Sequence, residues 1–166
     1  MSPITFPIET GKSQLLLKID SFDLANALDS QALQKMGKCE VCDVVLARQS
    51  DYDGVDRSAL KLISHMLFDF LQQNPDNIIY FYCDDFNDLP RSRHNQILSP
   101  QEYRSRLFSA LFDDEINKHG KDEYIDDVIE FEVDDMKRFI HLIYGKSNSE
   151  KAQILKDALT ELCAKP

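Results

Sequence analysis

Ile78-Ile79-Tyr80-Phe81-Tyr82-Cys83 is an unbroken run of apolar and aromatic residues, closed in front by Asn74-Pro75-Asp76-Asn77 and behind by Asp84-Asp85. A run this short, rich in β-branched and aromatic side chains and lacking a polar face, reads as a strand covered on both sides. The stretch before it reads as a helix. Leu60, Ile63, Leu67, Phe70 and Leu71 recur at helical spacing, and Pro75 cannot continue the pattern. A Val-rich strand, Val41–Ala47, precedes that helix across the polar link Asp51–Asp56 with its central Gly54. Strand, helix and buried strand in this order predict one parallel crossover unit.

The flanks supply the rest of a sheet. Ile4–Ile8 and Gln14–Ile19 alternate in polarity around Glu9-Thr10-Gly11-Lys12 and read as a hairpin. Leu24, Leu28, Leu33 and Met36 predict a helix, or two broken turns, ending before Gly37. Ser99-Pro100-Gln101-Glu102 sets an N-cap, a first-turn proline and a glutamate three residues on, the start of a helix that runs past Phe112 and Ile116 to Gly120. Ile129, Phe131 and Val133 alternate with Glu130, Glu132 and Asp134, giving a strand with one wet acidic face. Phe139–Tyr144 fits a helical stripe and a strand alike. A hairpin through Asp134–Lys137 favours the strand. Ser147-Asn148-Ser149-Glu150 is expected to cap a last helix with Ala152, Leu155, Leu159 and Leu162 inward. The expectation is a single α+β domain over residues 1–166. It is a two-layer sandwich, with a mixed, mostly antiparallel sheet of about five or six strands and three main helices largely on one face.

Composition narrows the function classes. Hydrophobic residues make up 43% of the chain, with only five Gly and six Pro, which excludes disorder and collagen-like repetition. No apolar run approaches the roughly 18–20 residues of a membrane span. Met1–Ser13 lacks the basic start and apolar stretch of a signal peptide, so the expected location is cytoplasmic. The four cysteines are then no disulfide framework. A net charge of −10 makes nucleic acid an unlikely partner. That charge is segregated. Asp113–Asp135 holds eleven acidic residues against two lysines, while four of the seven arginines (Arg91, Arg93, Arg104 and Arg106) fall within sixteen residues. The acidic block reads as a solvated surface. The arginines read either as its partners or as a patch whose planar guanidinium forks grip carboxylate or phosphate.

Motifs for chemistry are sparse. Cys39-Glu40-Val41-Cys42 is half of a zinc knuckle with no matching second pair. Where the strand begins at Cys39, the two thiols point to opposite faces, and Cys42 joins Val44 and Leu46 in the core. The histidines are scattered: His65 shares an exposed helical face with Lys61 and Asp69, His94 sits in the arginine-rich loop, His119 ends a helix where an imidazolium suits the dipole, and His141 lies in a strand. No His-Glu-x-x-His, Gly-rich phosphate loop or Gly-x-Ser-x-Gly elbow is present. No cofactor and no resident metal are expected. The end of the buried strand is the richest spot. Asp84, Asp85 and Asp88 are followed there by Arg91, Arg93 and His94, and ligands of open α/β sheets collect at strand carboxyl ends. One reading makes Asp84 and Asp88 turn caps paired with arginines; the other makes the segment a ligand or partner site. Haloacid-dehalogenase-type phosphatases place two Asp two residues apart after such a strand, whereas Phe86 takes the second position here.

Tyr82-Cys83-Asp84, then Asp88, then Arg104-Ser105-Arg106-Leu107-Phe108-Ser109-Ala110-Leu111-Phe112 resembles the signature of a family of small bacterial proteins known only as a domain of unknown function. In that family an apolar strand ends in Cys-Asp, a second Asp follows, and a helix reads Arg-Asn-Arg-Leu-Phe-Asn-Arg-Trp-Phe. Leu111 stands where the family has Trp, Ser105 and Ser109 replace Asn, and the loop from Phe86 to Tyr103 is longer. The resemblance implies a strand at Phe139–Tyr144 and a recurring association of Asp84 and Asp88 with Arg104 and Arg106. It implies no activity. At 100° per residue Arg104 and Arg106 lie about 200° apart, so both cannot face the same carboxylate. Arg104, adjacent to Tyr103 and four residues before Phe108, is expected to lock the strand end to the helix while Arg106 stays free.

Two function classes remain. The first is a noncatalytic binding or regulatory module that contacts a protein partner or a small anionic ligand through its acidic face and the arginine-rich loop. The alternative is a Mg²⁺-dependent phosphoester hydrolase or nuclease, with Asp84, Asp85 and Asp88 on the metal and Arg91 or Arg93 on the phosphate.

Overall fold

In a computed structural model of the chain, residues 2–11, 14–49, 57–83, 97–119 and 123–164 are described. The strands are β1 (Ile4–Glu9), β2 (Gln14–Ser21), β3 (Val41–Arg48), β4 (Ile78–Cys83), β5 (Tyr124–Val133) and β6 (Met136–Gly145). They form one sheet in the order β1-β2-β3-β4-β6-β5. Every neighbouring pair is antiparallel except β3 with β4, which is parallel. The helices are α1 (Ser30–Met36), α2 (Arg57–Gln73), α3 (Pro100–His119) and α4 (Ser149–Cys163). The protein is thus α+β with a mixed, largely antiparallel sheet, and α2 is the crossover between its two parallel strands.

Period-two alternation sorts the side chains into two cores. Leu15, Leu17 and Ile19 of β2, Cys42 and Val44 of β3, Ile79 and Phe81 of β4, and Phe139 and Ile143 of β6 face α2 and α3. Helix α2 meets them with Leu60, Ile63, Leu67, Phe68 and Leu71, each contributing about 1.5–3 kcal/mol when fully buried. On the other face Ile78, Ile129, Ile140, Leu142 and Tyr144 pack against Leu28, Met36, Ala152, Leu155 and Leu159 of the α1 and α4 region. Two of the three long helices therefore share one face, and α4 with α1 adds a partial third layer on the other. The cause is the sequence of β4 and β6: residues apolar at successive positions need cover on both sides.

Local chemistry sets the boundaries. The leucine-spaced segment after β2 forms a single 3₁₀ turn at Leu24–Asn26 and then α1. Asp23 and Asp29 divide it, accepting from the amides of Ala25 and Ala32. Gly37 closes α1 at φ 61°, where a side chain would be strained. Ser99 caps α3 by accepting from Glu102 N at 3.2 Å. Asp134 and Asp135, at φ 52° and 61°, form the two-residue turn between β5 and β6, a pattern whose twist suits a hairpin. The start of α4 departs from expectation. Asn148 occupies the cap position without capping, because its buried amide donates to the carbonyl of Pro75 at 2.7 Å and ties α4 to the turn after α2. Leu162, expected inward, is 41% exposed in the last turn.

Candidate functional site

The ladder between β3 and β4 covers only Val41–Asp43 against Ile78–Tyr80, although β3 runs on to Arg48 and β4 to Cys83. Beyond Asp43 and Tyr80 the strands part, and a cleft of about 290 Å³ opens between their carboxyl ends. Its polar and aromatic lining comes from Phe22, Asp43, Tyr80, Tyr82 and Arg104, with Val45 at its side. The carboxyl ends of parallel strands are where an open sheet most readily takes a ligand. Phe22 packs on Tyr80 with ring centroids 4.8 Å apart. Asp43 lies directly opposite Asp20 across β2 and β3. Burial first, and the Asp20 charge second, push its carboxyl above the ordinary 3.8 against the pull of Lys18. Burial, followed by Asp43, also raises the Tyr80 phenol and keeps it a neutral donor. A guanidinium, two phenols and a carboxyl are recognition groups. Among the described residues of the lining there is no nucleophile with its base.

Of the residues singled out from the sequence, Asp84, Asp85, Asp88, Arg91 and Arg93 lie outside the described residues, as does His94. Arg104 and Arg106 point to opposite sides of α3, as their spacing requires. Arg104 is 5% exposed and lines the cleft. Arg106 is exposed but not free: its Nη2 donates to Glu102 Oε1 at 2.7 Å, one turn back on the same helix.

A polar network escaped the sequence reading. Ser105 Oγ lies 2.8 Å from His141 Nε2, His141 Nδ1 lies 2.8 Å from Asp126 Oδ1, and Ser109 Oγ donates to Asp126 Oδ2 at 2.6 Å. With Asp126 a carboxylate, Nδ1 is the donor and Nε2 can accept from the Ser105 hydroxyl. The order of contacts is that of a Ser-His-Asp triad, yet a triad serine must meet its substrate. His141 is fully buried and Ser105 is 5% exposed, inside a helix whose backbone N–H groups are already bonded. Phe108, which stacks on Phe81, presents its ring to His141 at 5.4 Å. The network is a clamp that fastens α3 to β5 and β6. The signal available in sequence was the spacing of Ser105 and Ser109 on one helical face.

The acidic block divides once folded. Asp126 turns inward, Asp127 accepts from Lys156 at 2.7 Å, and Glu130 accepts from Lys137 at 2.6 Å. Glu132, Asp134 and Asp135 are exposed on β5 and its turn, where charge also discourages strand-to-strand pairing at a sheet edge. The paired cysteines separate as expected for core residues: Cys39 lies in the α4-side core and Cys42 in the α2-side core. Burial pushes the Cys42 thiol up to about 11 even though Asn77 Nδ2 lies 3.5 Å from its sulfur. Among the described residues one group of ligand-type side chains converges, His65, Glu115 and His119. The histidines are therefore less scattered than the sequence suggests.

No helix among the described residues is long and apolar enough to cross a membrane. No family model matches the chain, and no curated protein and no solved structure matches it.

Proposed function

We propose that the protein is a noncatalytic binding or regulatory module that receives a protein partner or a small anionic ligand through the strand-end cleft, its acidic face and the arginine-rich loop. The cleft between the parting ends of β3 and β4 carries this reading, because it places the nearly buried Arg104 beside Tyr80, Tyr82 and Asp43. A guanidinium held out of bulk water binds carboxylate or phosphate more strongly than an exposed one. The exposed acids of β5 and its turn offer a second, oppositely charged contact.

Thermal unfolding against phosphorylated and carboxylate compounds, with and without Mg²⁺, tests the reading. A ligand at a hundred times its dissociation constant adds about 2.7 kcal/mol, or roughly 5–10 °C in a domain of this size. The shift is expected without Mg²⁺ and is lost in Val45→Trp, which fills the cleft from a side chain already 43% exposed. Where no compound shifts the transition, a pull-down with wild-type and Val45→Trp bait identifies a protein partner. A shift that requires Mg²⁺, survives Val45→Trp and disappears in Asp84→Asn transfers the assignment to a metal-dependent phosphoester site. The absence of both a shift and a partner removes the proposal.

A further inference from the structure

Two helical pairs of identical spacing meet where α2 packs against the last turns of α3. His65 and Asp69 are four residues apart on α2, and Glu115 and His119 are four apart on α3, so each pair shares a helical face. The packing of the helices brings the faces together. His65 Nδ1 lies 3.2 Å from Glu115 Oε2, and His119 Nε2 lies 3.6 Å from the same oxygen. One ligand atom from each of the three residues falls within 4.8 Å of the other two. In tetrahedral zinc, with bonds of about 2.0–2.1 Å, neighbouring ligand atoms stand about 3.3 Å apart. The two short edges of this triangle bracket that value, and rotation of two half-exposed imidazoles closes the third.

We propose that His65, Glu115 and His119 form a binding site for a divalent transition metal of the zinc class, with His65 Nδ1, Glu115 Oε2 and His119 Nε2 as ligands. Imidazole and carboxylate are the donor set that such an ion prefers. The surroundings orient each ligand. Asp69 Oδ2 lies 3.5 Å from His65 Nε2, so it can hold the ring proton there and leave Nδ1 for the metal, the outer-shell carboxylate arrangement of metal-bound histidines. Lys118 occupies the other oxygen of Glu115, Oε1, at 3.2 Å and is itself held by Asp114 at 2.7 Å. That leaves Oε2 to bind alone. Phe68 stacks on the His119 ring with centroids 5.1 Å apart. Glu115 is 7% exposed, whereas His65 and His119 are 49% and 41% exposed, so the inner ligand is fixed and the outer two close over the ion from solvent. Three protein ligands leave one position for water or for a donor from another molecule. The site joins two helices. It lies about 16 Å along α3 from Arg104 and is independent of the strand-end cleft.

The test is titration of the purified protein with Co²⁺, read by visible d–d absorption and followed by displacement with Zn²⁺. The expected result is one equivalent bound, with the spectrum of a site lacking sulfur. His65→Gln and His119→Gln each weaken binding at least about 100-fold, and Asp69→Asn weakens it about 10-fold or more. Because His65 and His119 are half exposed, both Gln variants retain the fold, and their circular dichroism verifies it. A thiolate-to-cobalt charge-transfer band that disappears in Cys39→Ser or Cys163→Ser moves the metal to the cysteines and overturns the proposal. It is equally overturned by a d–d spectrum that persists in the His65→Gln/His119→Gln double variant, or by no spectrum at millimolar Co²⁺.

Discussion

Replacing Asp126 by Ala asks how much the clamp between α3 and the sheet contributes. The Asp126 side chain is 5% exposed and accepts from His141 Nδ1 at 2.8 Å and Ser109 Oγ at 2.6 Å. His141 is fully buried. Without the carboxylate its Nδ1–H has no partner and no access to water, which costs about 1–3 kcal/mol. The half-buried Ser109 hydroxyl loses a charged acceptor but can turn to solvent, so its share is about 1 kcal/mol. Together the loss is about 2–4 kcal/mol, read as a lower midpoint in urea with an unchanged slope and as a fall of roughly 5–15 °C in Tm. The double variant Asp126→Val/His141→Leu removes both polar partners. Ser105 can then bond back to a carbonyl of its own helix, so at least half of the lost stability should return. A loss below about 1 kcal/mol for Asp126→Ala would refute the argument, because it would mean that water already reaches His141. Ester-hydrolysing activity abolished by Ser105→Ala at unchanged stability would refute the clamp reading from the other side.

Further outcomes follow from single side chains. Burial alone would raise the Glu115 carboxyl, but hydrogen bonds from His65 and Lys118 outweigh it and hold the group below its ordinary 4.5. A depressed folded value stabilises above the unfolded one, so this contribution is full above about pH 4.5 and is lost as acid protonates Glu115 through its lower folded value. Stability against pH should therefore fall less steeply below pH 4.5 in Glu115→Gln than in the wild type. Asp43 has the opposite sign: its raised value penalises the charged form at neutral pH. Asp43→Asn should add about 0.5–1 kcal/mol at pH 7 by urea unfolding, and the gain should vanish as the pH falls toward 3.8. Iodoacetamide at about pH 8 should label the partly exposed Cys163 first. It should reach Cys42, whose thiol burial pushes up to about 11, only after unfolding, as mass spectrometry would show. Asp135→Gly removes a side chain at φ 61° and should raise stability by about 0.5–1 kcal/mol in the same unfolding assay.

The parts of the fold written as apolar periodicity were readable. The two parallel strands, the crossover helix, the opening hairpin and the proline-led start of α3 all announce themselves by spacing and turn chemistry. The first half of β5 did not. Tyr124–Val128 carries Asp126 and Asp127 in succession, which reads as loop until His141, Ser109 and Lys156 are seen to take the carboxylates. Helix α3 hid its inner face for the same reason: Gln101, Arg104, Ser105 and Glu115 are buried, so polar residues stand where periodicity looks for apolar ones. His65 and His119 are more than fifty residues apart, and only the packing of two helices makes them neighbours. The strand end was singled out from the rule for open sheets, while the cleft itself depends on where β3 and β4 part, which no local pattern encodes.

That parting also divides the sheet mechanically. The meander β1-β2-β3 and the group β4-β6-β5 each hold together by antiparallel ladders of six to ten pairs, and among the described residues the one ladder that joins them is Val41–Asp43 against Ile78–Tyr80. The molecule is in effect two half-sheets with one short seam, so the helices α2 and α3 carry much of the connection between them. Amide exchange should be fastest along this seam relative to its burial, since partial opening there breaks the fewest bonds. A molecule lodged in the cleft touches both halves at once. It would slow exchange on strands it never contacts, turning a local binding event into a rigidity shared by the whole sheet.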